Sequence, residues 1–221
     1  MRVAWIVLLG VLVAISTSSA QPAFPLFNDF DDGAQGWALA ANTSWQAAGG
    51  NPGGYLFTSG GNDLATRASA PSSWYGNWSA LDGVGAISLD YRLITLGGSP
   101  YDFTQPSIHL SGPGGSAVWP VVGTFISAPS PWTRFEALLA ASEWVVASGT
   151  WQGLLVDVTD LQINFSTVFN NSPPQDTNGL DNVRVDVVSV DVPEPVGLAL
   201  LPLAGIVLMN RAAQRKRDRN R

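Results

Sequence analysis

From about Phe24 to Val190 the chain never sustains the spacing of an amphipathic helix. Short apolar runs alternate with clusters of Gly, Ser, Asn and Pro. Runs of this length between turn formers suit strands better than helices with a buried stripe. Candidate strands are GYLFTS (54–59), GAISLDYRLI (85–94), PSIHLSG (106–112), AVWPVVGTF (117–125), TRFEALL (133–139), DLQINFSTV (160–168) and NVRVDVVSV (182–190). In the second of these, Ile87, Leu89, Tyr91 and Leu93 alternate with Ser88, Asp90 and Arg92, which marks one face in the core and one in water. Only EALLAASEWVV, or the neighbouring ASGTWQGLLVDV, has room for one or two helical turns. Many short strands without long helices between them imply an all-β sandwich of antiparallel sheets. No internal repeat is visible.

The two ends differ from this body. MRVAWIVLLGVLVAISTSSAQ has Arg2, an apolar stretch from Val3 to Ile15, then small polar residues. Ser18 and Ala20 stand where a signal peptidase reads small side chains, so residues 1–20 read as a signal peptide cleaved after Ala20. The alternative is an uncleaved anchor, since the apolar stretch is only slightly short of a span. This leaves residues 21–191 as one domain and 192–221 as a separate tail. The chain has no cysteine, so an exported body cannot rest on disulfides and needs a packed core or a bound ion. Between Gln21 and Val192 fifteen acidic residues face four arginines, Arg67, Arg92, Arg134 and Arg184. Such a body does not suit a phosphate backbone, which excludes nucleic acid as its partner.

Eight of the nine tryptophans lie in the domain, and most are expected to be core fillers with a bonded indole N–H. Trp74, Tyr75 and Trp78, in the turn-rich SSWYGNWS, are the candidates for an exposed platform against sugar rings, with burial as the competing reading. Catalytic patterns are thin. His109 is the only histidine and reads as a half-exposed strand residue, and the GPGG after it lacks the features of a phosphate loop. Glu136 and Glu143 are the only glutamates of the domain and read as surface solvation, with a carboxylate-based glycoside hydrolase as the weakest alternative. Sequons at Asn42, Asn77, Asn164 and Asn170 matter only in a eukaryotic secretory pathway, which nothing else in the chain supports.

Three local patterns agree with one another: FNDFDDGAQGW (27–37), GGNPGGYL (49–56), whose Asn-Pro-Gly-Gly makes a tight turn before a strand, and GLDNVRV (179–185). Together with GAISLDYRL and WTRFEALL they resemble the laminin B (domain IV) module, a jelly-roll β-sandwich of the galactose-binding-like group. The resemblance runs from about Phe27 to Val188. In related carbohydrate-binding jelly rolls, acidic residues at the first strand and an aspartate at the last hold a structural calcium. Asp29, Asp31 and Asp181 match those positions, with backbone carbonyls completing the six to eight oxygens calcium prefers. The competing reading is a solvated acidic loop and a turn-capping aspartate.

The tail has three parts. Val192-Pro193-Glu194-Pro195 is stiff and extended, because each proline sets its own φ and keeps its predecessor out of the helical region. Val196 to Met209 is apolar and spans about 21 Å as a helix, short of the ~30 Å hydrocarbon core. Arg211, Arg215, Lys216, Arg217, Arg219 and Arg221 then form a basic stop that stays cytoplasmic. This order resembles the PEP-CTERM sorting signal of Gram-negative bacteria, with Pro193, Glu194 and Pro195 as its motif and 196–209 as its transmembrane helix. The competing reading is a plain tail anchor. The resemblance implies processing by an exosortase, after signal peptidase has acted at the other end. It further implies inner-membrane anchoring before processing, then a place at the cell surface or in the extracellular matrix. Such proteins accompany exopolysaccharide and biofilm. The expectation is a non-enzymatic envelope or matrix protein, with an exopolysaccharide-binding module as the alternative.

Overall fold

The computed structural model describes residues 19–59, 66–95, 106–120, 128–165 and 176–188. In chain order the strands are β1 (Leu26–Asn28), β2 (Ala38–Leu39), β3 (Thr43–Gln46), β4 (Tyr55–Thr58), β5 (Arg67–Ser69), β6 (Gly85–Thr95), β7 (Ser107–Gly112), β8 (Gly115–Trp119), β9 (Thr133–Leu138) and β10 (Val145–Gly149). The helix α1 (Trp151–Val156), β11 (Asp160–Asn164) and β12 (Thr177–Val187) follow. The strands form two antiparallel six-stranded sheets. The first runs β3-β4-β12-β6-β9 and also takes β1 onto β12, while the second runs β10-β8-β7-β11-β5-β2. β4 and β1 share one side of β12, since β4 pairs Leu180 with Leu56 and β1 pairs Val185 with Leu26. First and last strands are therefore neighbours.

The alternation read in β6 is present. Ile87, Leu89, Tyr91 and Leu93 have no exposed surface, and they meet Ile108, Leu110, Leu161 and Ile163 of the second sheet in one core. Each such side chain contributes about 1.5–3 kcal/mol by leaving water. The opposite face of β6 is less wet than the pattern implies, because Ser88 and Asp90 are buried as well. Arg134 donates to Ser88 Oγ (2.7 Å) and Asn51 donates to Asp90 Oδ2 (3.0 Å), which brings neighbouring side chains over that face.

The helix falls in the second of the two expected segments. Thr150 Oγ1 accepts the N–H of Gly153 (3.0 Å), which satisfies a donor that a helix start leaves open. Trp151, Leu154 and Leu155 then face the core. At the front of the body, Ser19 Oγ donates to Val156 O (2.9 Å) and Asn77 N–H donates to Ala20 O (3.1 Å).

Candidate functional site

The Pro193–Pro195 motif, the apolar segment 196–209 and the basic residues from Arg211 to Arg221 lie outside the described residues, as do residues 1–18 and Asn170. No helix among the described residues is long and apolar enough to cross a membrane.

The candidate aromatic platform is not exposed, and the competing reading of burial holds for Trp74 and Trp78. Trp78 has no exposed surface and Trp74 only 4%. Two one-turn 3-10 helices, Ser72–Trp74 and Ser79–Leu81, roll this segment inward. Trp78 donates its indole N–H to Trp74 O (3.0 Å) and meets Phe24 edge to face, and Trp74 meets Trp37 in the same way. Tyr75 is half-buried, with its hydroxyl donating to Ala70 O (2.8 Å). Turn-forming residues placed the segment at the surface in sequence. Large apolar area returns it to the core.

The acidic residues divide. The Asp29 carboxylate accepts from the Gln35 amide (2.6 Å) and from Asp31 N–H (3.2 Å), and those bonds, Gln35 first, hold its pKa below the usual value. Asp31 and Asp181 face the turn from Gly50 to Gly54 instead. Asp31 Oδ1 accepts Gly54 N–H (3.3 Å), and Asp181 accepts Asn51 N–H on Oδ2 (2.5 Å) and Asn182 N–H on Oδ1 (2.7 Å). Gly53, at φ +80°, has to be glycine here, since a Cβ would overlap the Asp31 carboxylate. Asp181 is fully buried. Desolvation, followed by the nearby charges of Asp90 and Asp31, pushes it up to about 6 even though two backbone N–H groups bond it. Asn51 and Asn182 both donate to Asp90 Oδ2, at 3.0 and 2.9 Å. Among the described residues no group of three or more Asp, Glu, His or Cys side chains is placed to hold a metal ion together. The expected set of Asp29, Asp31 and Asp181 is not found as such a group: Asp29 accepts from Gln35, while Asp31 and Asp181 bond the 50–54 turn.

Sequence reasoning missed a polar ribbon on the outer face of the second sheet. Ladder pairing sets Gln162 of β11 between His109 of β7 and Ser69 of β5, and sets Asn164 between Ser107 and Arg67. Arg67 Nη1 donates to Gln162 Oε1 (3.0 Å) and Gln162 Nε2 donates to Asp160 Oδ2 (2.6 Å). Ser107 Oγ and His109 Nε2 lie 3.2 Å apart. Arg67, His109, Asp160 and Gln162 are all half-buried. Desolvation is the largest influence on Asp160 and raises its pKa, against the Gln162 hydrogen bond and the charges of Arg67 and His109. The only signal in the sequence was that outward positions of three separate strands are all polar. Which strands adjoin is a property of the fold. Glu136 and Glu143 are exposed and stand outside this ribbon.

No known family model and no curated protein matches this sequence. Among solved structures, the sandwich is similar to the L4b domain of human laminin alpha-2, at 13% identity and TM-score 0.42 over 60% of this chain and 79% of that one. It is also similar to the N-terminal CBM22-1-CBM22-2 tandem domain of Paenibacillus barcinonensis Xyn10C, at 18% identity and TM-score 0.48, covering 83% of this chain and 50% of the tandem. A third similar structure is SGBP-B from a complex xyloglucan utilization locus in Bacteroides uniformis, at 15% identity and TM-score 0.42, over 72% and 49% of the two chains.

Proposed function

We propose that this chain is an exported, non-catalytic surface protein whose laminin B-like jelly-roll domain binds polysaccharide along the outer face of the second sheet. The observation that carries this reading is the ribbon Arg67–Gln162–Asp160, joined by hydrogen bonds across β5 and β11 with His109 and Ser107 on the next strand. Amide, carboxylate, guanidinium and imidazole groups at strand spacing offer donors and acceptors in one plane, already oriented by each other. A chain of hydroxyl-bearing rings lying across the strands satisfies such a face without needing a deep pocket. Affinity electrophoresis against a panel of neutral plant and bacterial polysaccharides tests it. Gln162→Leu, which cuts the ribbon at its centre, should abolish retardation while leaving the melting temperature within a few degrees; retardation equal to the parent's would discard the ribbon as the site.

Delivery to the surface belongs to the same proposal. The Pro193-Glu194-Pro195 motif, the short apolar segment and the basic stop support sorting by an exosortase, with signal peptidase acting after Ala20. In the native host Glu194→Ala should retain the chain in the inner membrane at unprocessed size. Normal processing and surface display of that variant would remove the sorting assignment.

A structural calcium ion is a second reading, favoured by the buried Asp181. Asp31 and Asp181 would supply its carboxylate oxygens. The ion would neutralise charge that burial makes costly. Calcium should raise the melting temperature of the parent and leave that of Asp181→Asn unchanged.

A further inference from the structure

The outer face of the first sheet holds a second group of side chains, remote in the ladder from the ribbon. Ladder pairing puts Gly179 of β12 between Phe57 of β4 and Arg92 of β6. Two rings close over the bare backbone at Gly179. A Cβ there would stand 2.7 Å from Trp132 Cη2, closer than real side chains tolerate, and 3.1 Å from Tyr55 Cδ2, a tight contact. The rings of Tyr55 and Trp132 meet edge to face, 5.6 Å apart at 80°, and Tyr55 meets Phe57 at 6.5 Å and 87°. The Trp132 indole N–H donates to Gly49 O (3.3 Å) and Arg92 Nε donates to Ser130 O (3.2 Å), so both are held in place.

Two polar groups at this spot have unused capacity. The Tyr55 hydroxyl has no hydrogen-bond partner among the described residues, and Arg92 has no carboxylate partner among them. Both side chains are half-buried, as is Trp132. In a body with fifteen acidic residues and four arginines, a half-buried guanidinium without an anion is an unusual expense of charge. Arg134 and Arg184 point outward from the same sheet, so three of those four arginines share this face.

Each group narrows the ligand. A fixed guanidinium pairs best with a carboxylate, through parallel N–H donors. Aromatic rings take the C–H face of a saturated ring, and a phenol hydroxyl bonds a hydroxyl or a ring oxygen. An apolar peptide side chain would bury Arg92 without satisfying it, and a neutral sugar would leave its charge unpaired. We propose that the Tyr55–Trp132–Arg92 cluster over Gly179 binds a uronic acid residue of an acidic polysaccharide, with Arg92 on the carboxylate and the two rings against the pyranose. The site does not depend on the ribbon of the second sheet.

The test titrates the full chain, in mild detergent, with trigalacturonate, with cellotriose as a neutral arm and inorganic phosphate as a plain anion. Tryptophan fluorescence and calorimetry read the binding. Trigalacturonate should bind at least about tenfold more tightly than either other probe, and its affinity should fall as salt rises from roughly 0.05 to 0.5 M. Arg92→Gln should weaken it about tenfold, Tyr55→Phe severalfold with both rings kept, and Trp132→Ala should abolish the fluorescence change. Gln162→Leu should leave this binding as it was, which separates the site from the ribbon. Equal affinity of the Gln162→Leu protein for cellotriose and trigalacturonate, or phosphate binding as tight as trigalacturonate, would overturn the proposal. So would unchanged affinity in a folded Arg92→Gln protein, or the absence of trigalacturonate binding to a folded parent.

Discussion

Trp78 has no exposed surface, a bonded indole N–H and an aromatic neighbour in Phe24, so its removal should leave a cavity and take from Trp74 O the donor it accepts. Trp78→Ala is expected to cost about 3–5 kcal/mol in urea unfolding, a large part of the stability of an ordinary domain. Asp181 makes a different kind of prediction. Its folded pKa of about 6 lies above the unfolded value, so the native state holds the proton more tightly. As pH rises from about 4 to about 6 the unfolded chain releases that proton first, and stability falls by up to about 3 kcal/mol before levelling off. Melting curves across that window should show the fall in the parent and lose it in Asp181→Asn. Below this range Asp29 and Asp186, held down by hydrogen bonds from Gln35 and Arg184, contribute with the opposite sign. The sequence pointed to Asp181 as special, yet not to Asp90 beside it, because only the β6–β12 pairing brings the two together.

Among the elements, α1 is six residues long, too short to form without help. Its cap at Thr150 is one source of that help, so Thr150→Ala should cost about 1 kcal/mol, measurable as a lower urea midpoint with an unchanged slope. β12 shows how far strand boundaries can be read. NVRVDVV alternates and was legible, but the strand begins five residues earlier, at Thr177. Asn178, Gly179 and Asp181 are poor strand formers, and pairing with β4 and β6 overrides that preference. A register shift between Asp181 and Arg184, with Asn182 at φ +49°, separates the two halves. β1, β2, β3 and β5 escaped notice for a related reason, and β10 lies where the sequence left room for helical turns. The first four are two to four residues long and carry too few apolar positions for a period to show.

At the scale of the molecule, the ladders join residues distant in sequence, as when Leu26 pairs with Val185. Chain closure of this kind is slow, so refolding is expected in milliseconds to seconds by stopped-flow fluorescence. Because β12 pairs with β1, β4 and β6, ending the chain at Asp176 should leave no cooperative unfolding transition. Ending it at Val188 should preserve the transition at the parent's melting temperature, and both are read by calorimetry. The absence of cysteine means that reductant should change neither result.

The sequence alone determined the all-β character, the strand alternation and the separation of an acidic body from a basic tail. Each of these is written in local spacing or in composition. Tertiary structure alone decided which outward side chains become neighbours. Strand order gathered Arg67, Gln162, Asp160 and His109 on one face, and Tyr55, Trp132 and Arg92 on the other. It also took Trp74 and Trp78 inside, against the turn residues around them. A site on a sheet is a set of positions from different strands, and no local rule of the chain encodes which strands will adjoin.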